Sequence, residues 1–434
     1  MTSYPLSDTD LPNITSHCIP GPKSREWAQR LKSVESPDTT YLSDQFPLFW
    51  TRAKGCLVYD EDGNSFLDLT SSFGVLSVGH CHPRVVEAIN RQSSLLIHGM
   101  GDVHPSTVKV QLLEKISEHS PIKDPLIILG TNGSDAVESA LKTAYLATGK
   151  PGVIAFDGGY HGLSYGALEV TQRGFFRDPF EAQRGRFAHP LEFGCDLQHI
   201  EDAIGGSLCG IGAIIVEPIQ GRAGIRIPTE GWLVGLRKLC SKMNVLLIFD
   251  EIFTGWGRTG HWFECEREGV APDLLCIGKG MGGGMPISAC LGSTDLMRDT
   301  WAISAGEARH TYTFLGHPLS CASALATISV LEEEGLIDRS AIVGSYLLSS
   351  LIDLARRYPH LIKEVRGRGM MLAIELHDPK IVWPVVLDAL SKGIILLPAG
   401  DLGQAIEIVP PLILTHRQAT WCLSSLSVIF DKIS

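Results

Sequence analysis

The sequence predicts an α/β protein, with a mostly parallel central sheet in a large domain and a smaller α+β domain beside it. Short apolar runs such as Ile211–Val216 and Val245–Phe249 have the length of strands buried on both faces. Helical text lies between several of these runs, as crossovers between parallel strands require. Beyond about residue 320 the pattern shifts to long helical stretches with a few separated strands. At 434 residues and 44% hydrophobic content, the chain is long enough for a large core and two domains.

Residues 1–70 read as an N-terminal arm and part of the small domain. The arm is irregular to about residue 45, with a short helix over Glu26–Val34 that ends before Pro37. Strand-like alternation on both sides of Asp62-Gly63-Asn64 predicts a hairpin. Residues 71–320 form the large domain. A helix starts after Pro83, a strand covers Leu126–Leu129 and a turn begins at Gly133. Ala136, Val137, Ala140, Leu141 and Ala144 then mark one face of a helix ending at Gly149. Val153–Phe156, Ile211–Val216, Val245–Phe249, Leu274–Ile277 and Ile287–Leu291 continue the strand series. Residues 321–434 complete the small domain with helices over Cys321–Glu334 and Ile337–Arg357. Strands over Gly369–Leu376, Ile394–Leu397 and Ile406–Val409 and a terminal helix follow.

Composition narrows the function classes. The 37 basic and 48 acidic residues leave a net charge of −11, which argues against a nucleic-acid or anionic-membrane surface as the main partner. The N-terminal text is polar and proline-containing, with no apolar leader and no later stretch long enough to span a membrane, so a cytoplasmic protein is expected. The 11 cysteines lack any C-x-x-C spacing and fit reduced thiols. His80-Cys81-His82 is a poor metal site, because three adjacent residues cannot all face one ion; no metal is expected.

Two of the strand runs end on chemistry. Val245–Phe249 stops on Asp250-Glu251, and Leu274–Ile277 stops on Lys279 in a glycine-rich turn. Residues just past strand C-termini line the ligand crevice of an open parallel sheet, so a carboxylate and an amine can share one pocket. Pyridoxal phosphate needs this pair: Asp250 to keep its ring nitrogen protonated, Lys279 to hold its aldehyde as a Schiff base. The plainer reading makes Asp250 a turn cap and Lys279 a solvated loop residue. Gly130–Asp135 joins a strand to a helix start, where Gly133 and Ser134 suit a phosphate; the plainer reading is a helix capped by Ser134 or Asp135. Tyr160, between glycines after the strand Val153–Phe156, could stack on a flat cofactor or be a core tyrosine. Gly255–Gly260 matches G-x-G-x-x-G, but it lacks the strand-turn-helix context of a dinucleotide site.

Together these segments resemble the class-III (ornithine/4-aminobutyrate type) aminotransferases of the fold type I pyridoxal-phosphate enzymes. The match runs from GPKS at Gly21 through DEDGNSFLDL to VPPL at Val409, and is most specific in DEIFTGWGRTG and IGKGMGGGMP. The resemblance implies that Asp250 pairs with the pyridine nitrogen, Ile252 and Tyr160 pack on opposite ring faces, and Lys279 holds the aldehyde. It implies a phosphate turn at Gly133 and Ser134, completed by Thr313 of a partner subunit, and hence a homodimer or dimer of dimers with shared sites. It also implies that Glu217 pairs with, or releases, a substrate-binding arginine.

That arginine is absent from its expected place, where the text reads Glu407-Ile408-Val409-Pro410-Pro411. A carboxylate about 4 Å from a substrate carboxylate would be repelled by about 4 kcal/mol at an effective dielectric of about 20. The alternative is that Glu407 points away or pairs with a base. Phe253 likewise stands where a glutamine is common. The expected activity is amino transfer from an amine or amino-acid-type donor to a 2-oxo acid, with pyridoxal 5'-phosphate as cofactor. The competing reading is a racemase or epimerase of amino acids, amino-acid amides or lactams, and a third is a non-catalytic cofactor-binding protein. Arg173, Arg177, Arg222 and Arg226 are candidates for a substrate carboxylate.

Overall fold

The computed structural model describes residues 11–434. The outermost part of the expected arm, residues 1–10, lies outside the described residues. The first helix spans Pro22–Lys32, earlier than the expected Glu26–Val34. Proline suits the first helical turn, where its missing N–H costs nothing and its φ is preset. The Asp62 carboxylate accepts the Lys23 and Ser24 N–H groups at 2.8 and 2.9 Å, placing an anion at the helix start. Asp62 belongs to the predicted hairpin turn. Strands β1 (Trp50–Lys54), β2 (Leu57–Asp60) and β3 (Ser65–Asp68) form an antiparallel meander around it.

The central sheet holds β4 (Pro125–Gly130), β5 (Gly152–Phe156), β6 (Ala188–Leu191), β7 (Ile211–Val216), β8 (Leu246–Asp250), β9 (Leu274–Ile277) and β10 (Ser288–Ser293). Its seven strands run in the order β4-β10-β9-β8-β7-β5-β6. The five from β9 to β6 are parallel, and β10 is antiparallel to both its neighbours, so the sheet is mostly parallel as expected. Strands β5, β7 and β9 are buried throughout, and separate apolar clusters cover the two faces of the sheet. The sequence reading missed β6. This strand carries Pro190 and is tolerable only because it lies at the sheet edge.

Strands β11 (Ile362–Arg368), β12 (Met371–Leu376), β13 (Ile394–Ile395), β14 (Leu397–Ala399) and β15 (Ala405–Ile408) follow the long helices. An antiparallel sheet runs β11-β12-β15-β14, whereas β13 pairs in parallel with β3. The apolar run expected as one strand over Ile394–Leu397 is therefore divided between two sheets. Strand β11 was also missed, because IKEVRGR has charges at most positions and buries only one residue fully. The helix Pro318–Glu333 packs on helices Pro83–Leu95 and Thr107–His119, while Leu336–Arg357 packs on β11 and on the terminal helix His416–Ile433. Among the described residues, no helix is long and apolar enough to cross a membrane.

Candidate active site

Strands β8 and β9 are neighbours, with Asp250 opposite Cys276 in the ladder. Three residues beyond Cys276 the chain reaches Lys279, so both charged side chains enter the same crevice at the strand C-termini. Gly133, Ser134, Tyr160, Glu217, Asp250, Ile252 and Lys279 line one cavity of about 260 Å³, together with His161, Arg222 and Phe253. Asp250, 4% exposed, caps the following turn through the Ile252 N–H and also lines this cavity, and Lys279 is half-buried there and not a solvated loop residue. Lys279 also has φ of +38°, a strained backbone angle of the kind that clusters at functional sites.

The Asp250 carboxylate is held at both oxygens. His161 Nδ1 lies 2.8 Å from Oδ2, and the Ile252 N–H donates to Oδ1 at 3.1 Å. Burial favours the neutral His161 ring, but the hydrogen bond to Asp250 and its charge outweigh that effect and raise the histidine pKa. Burial pulls the Lys279 pKa below its ordinary value, opposed by the charges of Asp250, Glu217 and Glu407. The Lys279 ammonium sits 3.9 Å from the centre of the Phe253 ring. That ring is clamped between backbone segments: a Cβ on Gly74 or Gly221 would come within 2.4 or 2.2 Å of it.

Asn132 caps the helix Gly133–Thr148 by accepting the Asp135 N–H at 3.2 Å, which corrects the expected cap at Ser134 or Asp135. The Asp135 carboxylate instead turns back to the Thr131 N–H and hydroxyl, at 2.8 and 2.6 Å. This leaves Gly133 and Ser134 in the first turn facing the cavity, where backbone dipoles favour an anion. A Cβ on Gly133 would sit 3.1 Å from the Ile252 side chain, and one on Gly162 only 2.0 Å from Ser134 Oγ. Tyr160 meets Phe176 edge-on at 5.6 Å, and its backbone N–H donates to Glu217 at 2.9 Å. Glu217 also accepts the Gly221 N–H at 3.0 Å, so this carboxylate is tied to the backbone of two loops, and burial raises its pKa.

The structure does not bring Thr313 into this cavity: it is exposed, in the turn before the helix Pro318–Glu333. Glu407 is 4% exposed on β15, on the strand face it shares with Ala405 and Val409 and hence with the apolar cluster around Phe253. It forms no ion pair or hydrogen bond with any described residue; burial raises its pKa against the opposing charges of Arg222, Lys279 and Arg258. The G-x-G-x-x-G segment is structural. Arg258 is buried and donates to the carbonyls of Met370, at 3.2 Å, and Pro410. His80 and His82 bond to different carboxylates, Asp68 at 2.8 Å and Glu334 at 3.2 Å, and the eleven cysteines are all unpaired. Sequence reasoning did not single out His161; its adjacency to Tyr160 was the available signal.

These residues fit pyridoxal phosphate: a half-buried lysine, a carboxylate held by a histidine, and a helix start suited to a phosphate, all in one cavity. A cavity with this lysine–aspartate pair at the carboxyl edge of a mostly parallel sheet defines a pyridoxal-phosphate-dependent transferase of fold type I.

Residues 40–430 match the aminotransferase class-III family. An acetylornithine aminotransferase of Methanosarcina acetivorans is 35% identical over 90% of this chain and 94% of its own length. An alanine/serine racemase of Pyrococcus horikoshii is 34% identical over 92% of this chain and 89% of its own. The crystal structure of ornithine aminotransferase from Toxoplasma gondii ME49 superposes with a TM-score of 0.86 at 29% identity, covering 94% of this chain and 95% of that one. The chain belongs to the class-III aminotransferases. It is a pyridoxal-phosphate-dependent transaminase, moving an amino group from an amine or amino-acid donor to a 2-oxo acid.

Proposed function

We propose that the donor presents an amine or a distal amino group and that the residues lining the cavity divide the work as follows. Lys279 would hold the cofactor through its aldehyde. The freed Lys279 amine, with its proton affinity lowered by burial, then moves a proton between the substrate carbon and cofactor C4′. Bound pyridoxal phosphate supplies the electron sink for the charge left on that carbon. Asp250 keeps the ring nitrogen protonated, and His161 fixes the Asp250 carboxylate. Tyr160 and Ile252 would pack against the cofactor ring, while Gly133 and Ser134 would hold its phosphate. Thr313 reaches the phosphate of a neighbouring copy, which makes the working form a homodimer or a dimer of dimers, in the cytoplasm. The large domain over 71–320 carries the cofactor, and residues 1–70 and 321–434 build the smaller domain that closes the substrate side.

The observation that carries this reading is the convergence of Asp250 and Lys279 on one cavity from adjacent strands. A screen of amines, amino acids and amino-acid amides tests it, following the visible absorbance of the lysine-bound cofactor. Productive donors bleach that band, and a 2-oxo acid restores it. Failure of every donor to bleach it would refute the reading. Glu407 and the likeness to a protein named as a racemase favour a second reading, in which the proton returns to the same carbon from the other face. Incubation in heavy water without an oxo acid separates the two. Deuterium at the α-carbon with loss of optical activity, and no bleaching, would establish racemisation.

A further inference from the structure

Four arginines were candidates for a substrate carboxylate, and the structure commits three of them elsewhere. Arg173 donates to the carbonyls of Arg222, at 2.6 Å, and Gly400, at 3.2 Å, and its Nε lies 3.5 Å from Asp401. Arg226 donates to the Asp157 carbonyl and the Gln220 side chain at 3.3 and 3.2 Å, with its guanidinium 5.4 Å from the Phe193 ring centre. Arg177 donates to Gln172. None of these three lines the cofactor cavity.

Arg222 is different. It lines the cavity, and its guanidinium forms no ion pair or hydrogen bond with any described residue. Its backbone is nevertheless pinned, because its carbonyl accepts from Arg173 and from the Gly400 N–H at 2.9 Å. The side chain therefore has a fixed root and an uncommitted charged end. Glu407, behind the cavity lining, is buried without a donor on the strand face that meets this loop: a Cβ on Gly224 would lie 3.1 Å from Ala405 Cβ. Arg222 and Glu407 feel each other's charge and that of Lys279, yet no oxygen of Glu407 lies within ion-pair distance of Arg222.

We propose that Arg222 is the receptor for the substrate carboxylate, and that Glu407 repels carboxylates from the β15 wall, so amino-acid and 2-oxo-acid partners bind in one orientation. The carboxylate lies on the Tyr160 side of the cavity, toward the unpaired guanidinium. Glu407 faces the remainder of the substrate and leaves that side to neutral or cationic groups. Arg173 is a positioning residue that holds the Arg222 backbone. This assignment rests on the proposed roles of Lys279 and Asp250 in the same cavity.

Binding of unreactive carboxylates to the holoenzyme tests it without turnover. Acetate and maleate would be titrated against the visible band of the lysine-bound cofactor in the native enzyme, Arg222→Gln, Arg222→Lys and Glu407→Gln. Loss of one charge-assisted contact predicts that Arg222→Gln weakens binding by about 10- to 100-fold, with Arg222→Lys between it and the native enzyme. Glu407→Gln, which removes the repelling charge, is expected to tighten it. The native band in each variant reports an intact cofactor site, and steady-state kinetics should show a higher KM for the 2-oxo acid with a smaller change in kcat. Undiminished carboxylate binding by Arg222→Gln, or weaker binding by Glu407→Gln, would overturn the assignment. Should Arg222→Gln not fold, Arg222→Lys carries the test, with unchanged binding again overturning it. A native enzyme with no visible band at all would instead refute the cofactor roles proposed for Lys279 and Asp250.

Discussion

At the residue scale, Lys279 combines a half-buried amine, a strained backbone and the nearby charges of three carboxylates. If Lys279 is the proton carrier proposed above, Lys279→Ala is expected to lower kcat by about 10³-fold or more while leaving the circular dichroism spectrum unchanged. His161 makes a prediction about pH. Its folded pKa lies above the ordinary histidine value, so its contact with Asp250 contributes stability that is fully present below the unfolded pKa of about 6.5 and is lost as pH rises through the folded one. Thermal melts of the native protein and His161→Asn should therefore differ most below about pH 6 and converge on the alkaline side. A gap that widens with pH would contradict a charged histidine. Asp250 and Lys279 could be read from sequence because each follows an apolar strand at the edge where ligands bind. Arg222 could not be singled out, because what distinguishes it is the absence of a partner, and partners arise from tertiary packing.

At the element scale, two glycines mark where backbone segments press together. Gly162 has φ of +121° and approaches Ser134, so Gly162→Ala should push the loop off the start of the helix Gly133–Thr148. The expected result is a rise of about tenfold or more in the dissociation constant for pyridoxal phosphate, measured by equilibrium titration. Gly344 lets the helix Leu336–Arg357 lie against the β11–β12 turn, where a Cβ would fall 2.1 Å from the Gly369 carbonyl oxygen. Gly344→Ala is expected to cost about 1–3 kcal/mol in chemical denaturation, with little effect on cofactor affinity. The same scale explains which elements sequence could reveal. Doubly buried strands such as β7 announce themselves as continuous apolar runs, whereas β6 and β11 take their structure from a neighbouring strand and show polar or proline-bearing text. The run Ile394–Leu397 looked like one strand because apolarity cannot tell which sheet a residue joins.

At the scale of the whole molecule, apolar side chains remain exposed at Leu95, Ile97, Met100, Val103 and Phe314. They belong to adjoining segments, since His98 lies 5.1 Å from Phe314 between ring centres. Such a surface suits a second copy of the chain, and light scattering should return at least twice the mass of 47.2 kDa. If Thr313 completes the neighbour's site, mixing Lys279→Ala with Thr313→Ala protein should regenerate one intact site per mixed dimer. Cofactor affinity and turnover would then recover above those of either variant alone. No recovery after verified subunit exchange would place Thr313 outside the shared site. The adjacency of β8 and β9 has one more consequence. Backbone hydrogen bonds set the separation of the aspartate and the lysine, whereas Arg222 and Glu407 sit on a loop and on another sheet. Diversification of residues 219–226 and 405–409 should therefore yield enzymes with new substrate ranges that keep the colour of the parent, making preference an interchangeable fitting on an inherited reaction centre.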